Sequence, residues 1–552
     1  MGIPRFFHYC YTNYPEILQQ VKAKQGCSVD IDFIYFDLNA VIHGVCQTVF
    51  EYGSGAATKS FLKKKGKENK TLTCFNKVCE TIEKYVSLCK PKRGVFIAID
   101  GVCGMAKCNQ QRQRRFKSAK NNDNIGFDPN CISPGTVFMD TLSKHVSSFL
   151  ERKIQEDWSN LELIISNEKV VGEGEHKCIK HIRDNLELNS LIVSPDADLF
   201  MLMLSCYDFN NNRKLFLMRE NIYDNVSCDY FIVDINQLAS KIVERVCEDK
   251  SKNNIRKTEI ITDFVFYCFF LGNDFLPSLP CVEIINQGMD VLFDVYSENL
   301  IEKGNLCFKQ GKRLILNKES FAAMLRKISN LESQTLEWKY KKNNVSNDPF
   351  VSKCMLDQDG KKFDMEKYRK LYYKAKFEKP KPTVASIKHY IEGLLFVLRY
   401  YFDEIPSYTW YYQYHYAPFA GEIADVMDKY NEDKEIFAKT SPIFPLQQLF
   451  CILPPKSRDL LPKSLHKYMS DEDKEIGEWM KTDLALDSDF KKNDWEYILL
   501  SPSINQTKFM DVFNRHVKEF TEYETKRNVR GKVFVYYTED GECYMKEVIP
   551  KY

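Results

Sequence analysis

The chain has 552 residues and a formal net charge of +2, so it is long enough for a large core and carries no global basic excess that would by itself argue for nucleic-acid binding. Hydrophobic residues make up 44% and aromatic residues 13%, which excludes a disordered chain. Nineteen cysteines, scattered from Cys10 to Cys543, form no CxxC pair or Cys/His finger spacing, so structural zinc is not expected and reduced thiols in an intracellular protein are.

The opening segment MGIPRFFHYCYTNYP lacks the apolar core of a secretory signal, and position 6 is Phe where a myristoylation motif needs Ser or Thr. No apolar run reaches transmembrane length, so a soluble protein without a membrane partner is expected. Residues 33–38 (FIYFDL) and 94–99 (GVFIAI) read as buried strands, and 161–165 (LELII) and 191–194 (LIVS) repeat the pattern. Helical spans at 74–89 and 134–154 lie between them. This alternation predicts an α/β fold with a mostly parallel, helix-flanked sheet. The lysine-rich 59–70 segment reads as an exposed insertion, and the basic stretch 336–382 as a linker or inserted arm. Residues 263–275 (DFVFYCFFLGNDF) fit strand or helix, whereas 387–402 read as a buried helix. Beyond about residue 515, GKVFVYYTEDGECYMKE predicts a hairpin turning at DG.

Seven carboxylates stand out: Asp37, Asp100, Glu173, Glu175, Asp196, Asp198 and Asp274. Strand ends of an open α/β sheet converge on one crevice, so residues far apart in sequence can meet there. In an extended segment Glu173 and Glu175 would point the same way, as would Asp196 and Asp198. Two like charges about 4 Å apart repel by roughly 4 kcal/mol at an effective dielectric near 20. Divalent cations with hard-oxygen preference would relieve that repulsion, Mg²⁺ first and Mn²⁺ as a substitute, and two of them suit phosphodiester hydrolysis. Taken singly, each residue has a plainer reading, because Asp near strand ends organises turns and GEG makes a bend.

Just beyond Asp100 comes AKCNQQRQRRF. Lys107, Gln111, Arg114 and Arg115 fall at i, i+4, i+7 and i+8, along one broad helix face able to grip a terminal phosphate. A solvated surface helix explains the same run equally well until its closeness to Asp100 is weighed.

The chain resembles the eukaryotic-type 5′→3′ exoribonucleases, which include cytoplasmic messenger-degrading and nuclear RNA-processing enzymes. The resemblance rests on MGIPRFFHY, FDLNAVIH, AIDG with AKCNQQRQRRF, FDPNCISPGTVFM, GEGEHK, SPDADLFMLML and CFFLGNDFLPSLP. A second block supplies YIEGLLFVLRYY, WYYQYHYAPF and LFCILPPKSRDLLP. It implies a compact member with a PIN/flap-nuclease-like acidic active site enlarged by a mainly helical second block. The implied division is a nuclease core over 1–335, the basic arm over 336–382, the second block over 383–515 and a small strand-rich extension over 516–552.

The resemblance also implies metal binding by all seven carboxylates and 5′-monophosphate recognition by Lys107, Gln111, Arg114 and Arg115. His43 takes the place of a histidine that stacks beside the terminal nucleotide, and Tyr408 or Trp410 that of an aromatic stacking on bases. Without the resemblance, His43 fits a structural hydrogen bond as well as a stack, and the aromatic segment fits core packing. Gly104 and Met105 stand where relatives commonly have Pro-Arg, Gln413 where they have Pro, and Tyr408 where they often have Trp.

The activity implied is processive, two-metal 5′→3′ hydrolysis of single-stranded RNA with a 5′-monophosphate, by a cytoplasmic monomer, with the nucleus as the alternative location. The competing readings are a structure-specific 5′ DNA nuclease and a catalytically silent RNA-binding scaffold. The sequence names no protein partner.

Overall fold

The computed structural model describes residues 5–53, 69–121, 126–223, 226–247, 256–284, 287–311, 313–343, 348–356, 363–430, 436–491 and 493–550. Most of the lysine-rich 59–70 segment lies outside these residues. Two compact units are each assembled from separated stretches. One comprises Met1–Tyr14, Leu238–Lys439 and Leu484–Ser503, and the other Pro15–Gln237, Thr440–Asp483 and Ile504–Tyr552.

The second unit is built on a sheet of nine strands. Seven are β1 (Leu18–Val21), β2 (Phe33–Asp37), β3 (Gly94–Ala98), β4 (Glu162–Ser166), β5 (Ser190–Val193), β6 (Leu215–Glu220) and β7 (Tyr230–Asp234). The last two are a hairpin, Val533–Glu539 and Glu542–Val548. The order is β1-β7-β6-β5-β2-β3-β4, followed by the hairpin.

From β6 to β4 the five central strands are parallel. Both flanks are antiparallel, through β1 and β7 on one side and the hairpin on the other. The sheet is therefore mixed rather than mostly parallel. The reason is local: β7 follows β6 with no crossover helix, and the hairpin strands join through a tight turn, so neither can run parallel to its neighbour. At that turn Asp540 and Gly541 have φ of 51° and 81°, as a two-residue hairpin loop requires.

Strands β2, β3 and β5 are buried along their whole length, which is why they read as unbroken apolar runs. Helices Leu38–Phe50, Lys70–Cys89 and Val137–Gln155 pack on the sheet through residues such as Ile42, Val78, Ile82, Leu142 and Val146. From β2 the chain builds outward to β3 and β4, then returns to the other side of β2 to lay down β5 and β6. The order reverses at β2, and such a reversal opens a crevice at the carboxyl ends of the strands.

The hairpin is the rim of this sheet: Phe534, Val535 and Tyr536 face Ile165, Ile164 and Leu163 of β4. The chain leading to it is tied down as well, with the Gly531 amide donating to the Lys169 carbonyl at 2.8 Å and the Leu446 amide to Asn528 Oδ1 at 2.9 Å.

The other unit is mainly helical. Residues 263–268 close the helix Lys257–Cys268, and Phe269–Leu271 add a 3-10 turn, which settles the strand-or-helix ambiguity for helix. Asp263 is fully buried there and accepts from Tyr296 Oη (2.8 Å), Asn305 Nδ2 (3.0 Å) and the Leu306 (2.9 Å) and Cys307 (2.8 Å) amides. Burial pushes its carboxyl up to about 7 against these donors, so it is a structural carboxylate with its acceptor capacity used.

Within 336–382, residues 336–343, 349–354 and 365–376 are helical, and the stretch carries a buried aromatic cluster. Tyr368, Tyr372 and Tyr373 of helix Met365–Lys376 pack with Leu336, Val351 and Phe419. Lys370 lies between Tyr368 and Tyr372, and Lys367, Lys374 and Lys376 flank the tyrosines, so the helix's basic composition hides its apolar face. No helix among the described residues is long and apolar enough to cross a membrane, and none of the described cysteines is joined in a disulfide.

Candidate active site

Asp37 is the last residue of β2, at the point where the strand order reverses, and is almost fully buried. Ser194, which follows β5, donates to Asp37 Oδ2 at 3.3 Å. Asp100 stands two residues past β3. Its amide donates to Asn39 Oδ1 at 3.0 Å, and its Oδ1 accepts from the Gly174 amide at 2.7 Å.

Glu173 and Glu175 do not lie on an extended segment. Glu173 is the N-cap of helix Gly174–Asp184 and Glu175 falls in its first turn, so strand alternation does not relate them. Gly172, at φ 109°, turns the chain into that helix. Gly174 must lack a side chain, because a Cβ there would stand 2.6 Å from Asp37 Oδ1 and 3.4 Å from Asp100 Oδ1. Asp196 is exposed in the loop after β5, with its amide donating to Ser194 Oγ at 3.3 Å. Asp198 opens the helix Asp198–Leu204 and is buried.

These six side chains share one electrostatic neighbourhood. Burial, then the charges of Asp100 and Asp196, push the Asp37 carboxyl well above the usual carboxylate range. Burial does the same to Glu175, opposed by Lys107 and reinforced by Asp198, Glu173 and Asp37. Even so, no three His, Cys, Asp or Glu side chains among the described residues are grouped so that they could hold a metal ion. Lys107 supplies positive charge instead, its Nζ lying 2.5 Å from Glu173 Oε2. The donor set fits a hard divalent cation in chemistry, being all carboxylate oxygen and partly uncompensated, but the side chains are not closed into a ligand sphere.

Lys107 belongs to the helix Met105–Asn121, the basic helix expected from the sequence. Gln111 and Arg115 are each only 8% exposed, yet Gln111 Oε1 and Arg115 Nη1 have no hydrogen-bond partner. Buried polar atoms of this kind are costly unless a ligand meets them. Arg114 is exposed. The imidazole of His43 lies beside both arginines; burial, then their charges, hold it down to about 4. The structure thus sets Lys107, Gln111, Arg114 and Arg115 on one helix, with His43 beside its two arginines and Lys107 against the carboxylates.

Arg112, in the same QRQRR run, points the other way. It is 3% exposed, and Nη1 donates to the Cys451 carbonyl at 2.6 Å while Nη2 donates to the Trp479 carbonyl. Its guanidinium lies 4.2 Å from the Phe116 ring centroid. Arg112→Ala is expected to destabilise this unit by about 3 kcal/mol, because two buried carbonyls lose a charged donor. A lowered urea midpoint would register the loss, and a midpoint equal to wild type would refute it.

Asp274, Tyr408 and Trp410 belong to the helical unit. Asp274 is half-buried in the loop after the 3-10 turn, where Asn273 Oδ1 accepts from the Phe275 and Leu276 amides, each at 2.9 Å. That loop is held on the helix Val384–Phe402 by Tyr390 Oη, which donates to the Pro277 carbonyl at 3.0 Å. Trp410 lies flat over the same helix, stacked on Phe396 at 4.6 Å and on His389 at 5.4 Å, so a packing role is already filled. Tyr408 is half-buried. Sequence reasoning missed Asn39, Ser194 and Lys177 as supports of the carboxylates. The quoted motifs FDLN, SPDAD and GEGEHK contained them, but their contacts depend on the tertiary fold.

Two family models match the chain. The model described as the XRN 5′-3′ exonuclease N-terminus matches residues 1–125 and 120–221, and the Xrn1 helical domain matches residues 254–353 and 309–551. The chain belongs to the Xrn family of 5′-3′ exoribonucleases. Among Xrn relatives, 5′-3′ exoribonuclease 1 of Saccharomyces cerevisiae is 26% identical over 97% of this chain and 44% of its own length. The human 5′-3′ exoribonuclease 1 is 26% identical over 98% of the chain and 36% of its own length. The 5′-3′ exoribonuclease 2 of Candida albicans is 23% identical over 99% of the chain and 75% of its own length. The chain therefore spans less than half of the exoribonuclease 1 relatives it matches. A solved structure, the catalytic core of Rad2 in complex with DNA substrate, aligns with 66% of this Xrn chain and 85% of its own at 15% identity and a TM-score of 0.32, too slight a likeness to bear on the fold.

Proposed function

We propose that this Xrn-family chain is a 5′→3′ exoribonuclease that takes single-stranded RNA with a 5′-monophosphate and releases nucleoside 5′-monophosphates. One observation carries the reading. Lys107 of the basic helix pairs with Glu173 of the carboxylate cluster at 2.5 Å, which supports reading the basic face and the acidic face as one site.

Gln111, Arg114 and Arg115 would bind the 5′-phosphate by charge-assisted hydrogen bonds, which read the chain end and not the base. His43, held neutral beside them, offers a flat face to the first nucleotide. Asp37, Asp100, Glu173, Glu175, Asp196 and Asp198 would hold Mg²⁺, or Mn²⁺ in its place, which supplies Lewis-acid activation of water when bound. Asn39, Ser194 and the Gly174 amide orient Asp37 and Asp100. The family resemblance adds Asp274 to the metal-binding carboxylates and gives Tyr408 or Trp410 a base-stacking role. Each cleavage exposes a new 5′-phosphate for the same pocket, which is the physical basis for processivity.

The test is a time course on end-labelled RNAs that differ only in the 5′ group, with magnesium added or withheld and a matched single-stranded DNA alongside. Magnesium-dependent loss of the monophosphorylated RNA, with capped and 5′-hydroxyl RNA persisting, is expected. Equal digestion of capped and monophosphorylated RNA would overturn the end-selection mechanism, and preference for DNA would overturn the substrate class.

A second expectation concerns stability. Asp37 and Glu175 are held above the usual carboxylate range in the folded protein, chiefly by burial, so these two groups hold more protons in the metal-free fold than in the unfolded chain. Their contribution favours folding at pH below the ordinary carboxylate range and is lost as pH rises through the elevated folded-state values. Adding millimolar magnesium or manganese at neutral pH is expected to raise Tm, and the gain should shrink on acidification. A Tm indifferent to both ions would contradict it.

A further inference from the structure

Lys177 is a buried lysine to which the proposed reaction gives no direct part, and it sits where two strands separate. The Ile99 amide makes the last ladder contact of β3 with β4, donating to the Ser166 carbonyl at 2.9 Å. Past that point the β3 exit pairs with the turn before the Glu173 helix. The Gly101 amide donates to the Gly172 carbonyl at 2.9 Å, and the Gly172 amide to the Val102 carbonyl at 2.8 Å. Lys177 reaches into the fork, and its Nζ donates to the Ile99 carbonyl at 2.6 Å and to the Asn167 carbonyl at 2.9 Å. Ile99 immediately precedes Asp100, and Asn167 immediately follows β4.

We infer that Lys177 is a positioning residue that fixes Asp100 by clamping the exits of β3 and β4 to the helix carrying Glu173 and Glu175. The inference rests on the nuclease reading above. The geometry has three supports. Lys177 is one helical turn from Glu173, its amide donating to the Glu173 carbonyl at 3.1 Å, so movement of the clamp moves the acidic helix end. Space around Asp100 is tight, since a Cβ on Gly101 would stand 1.7 Å from the Val170 carbonyl oxygen and one on Gly174 would meet Asp100 Oδ1 at 3.4 Å. Lastly, Lys177 is only 9% exposed and its Nζ is engaged by two backbone carbonyls, which suits it to hold chain rather than to meet RNA. An apolar side chain of equal length would fill the space, strip the Ile99 carbonyl of its donor and leave the Asn167 carbonyl only the Val170 amide at 3.1 Å.

The test compares the full chain with Lys177→Met and Lys177→Arg. Three measurements are made: steady-state kinetics on 5′-monophosphorylated RNA, Mn²⁺ affinity by electron paramagnetic resonance without RNA, and amide hydrogen exchange. Loss of a residue that orients metal ligands costs about 10- to 100-fold in activity or metal affinity. That loss is expected in kcat and in Mn²⁺ affinity for Lys177→Met, with KM unchanged because the Gln111–Arg115 face is on another helix. Exchange should accelerate in residues 99–102 and 167–174 but not in 105–121, and Lys177→Arg, which keeps donors, should recover part of each effect.

Wild-type kcat and Mn²⁺ affinity in Lys177→Met would overturn the clamp. So would faster exchange throughout the sheet unit, including 105–121, which marks a general folding role. A wild-type protein that degrades no RNA would defeat the nuclease reading alone, because exchange and Mn²⁺ binding still decide the clamp.

Discussion

Asp37→Asn is expected to reduce turnover of 5′-monophosphorylated RNA by about 10³-fold, the equivalent of several kcal/mol of transition-state stabilisation. Asn keeps the size of the side chain and can still accept from Ser194, so the local shape survives while one negative charge disappears. Asp37 occupies the central position of the cluster, linked to Asp100 and Asp196 on one side and to Glu175 on the other. RNA binding should change little, because the Gln111 and Arg115 side chains that would hold the 5′-phosphate lie on a separate helix. Thermal stability without metal should rise, since a desolvated carboxylate has been neutralised. Gel-based turnover, RNA binding by fluorescence anisotropy and a melting curve measure the three effects. A variant with turnover within tenfold of wild type would remove Asp37 from the chemistry. Equal losses in turnover and binding would favour the silent RNA-binding scaffold.

Arg115→Met is expected to abolish most of the preference for a 5′-phosphate. The guanidinium is buried, Nη1 has no partner, and Arg114 is close enough that its charge, after burial, helps pull Arg115 down to about 10. Two crowded cations of this kind have little to gain from each other and much from an incoming dianion. Truncating one partner of a buried charged pair typically costs 2–5 kcal/mol, so kcat/KM on monophosphorylated RNA should fall by about 10²-fold or more. Activity on 5′-hydroxyl RNA should hardly move, because that substrate offers no phosphate to the pocket. The ratio of the two rates is the measurement, and a ratio equal to wild type would place phosphate recognition elsewhere. Arg112→Met is a useful contrast, since it should lower stability and leave the ratio intact.

The parts of this fold that announced themselves in the sequence are those where burial is symmetrical. Strands β2 and β3 are covered on both faces, so their apolar runs were plain and Asp37 and Asp100 could be placed at their ends. Strand β1, LQQV, is half polar and lies on the sheet edge, and nothing in its local pattern marks it as part of the sheet. GEGE alternates like a strand, yet it caps a helix, because the choice is made by Gly172 and by the contact of Gly174 with Asp100. In QRQRR the letters cannot distinguish Arg112 from Arg115. What separates them is a pair of carbonyls 339 and 367 residues further along the chain. Lysines around the tyrosines made residues 365–376 read as part of a basic linker or arm, although the tyrosines are core.

The hairpin on the outer edge of β4 has a consequence for how the protein is made. Its strands, Val533–Glu539 and Glu542–Val548, leave the ribosome hundreds of residues after β4, which must wait with one flank bare. Pairing across so large a separation is slow to nucleate, and an unpaired strand edge invites aggregation while it lasts. The segment leading into the hairpin also secures Lys169, close to the Asn167 carbonyl that Lys177 grips. The sheet that carries the carboxylates therefore stays open along β4 until both strands of the hairpin have been made.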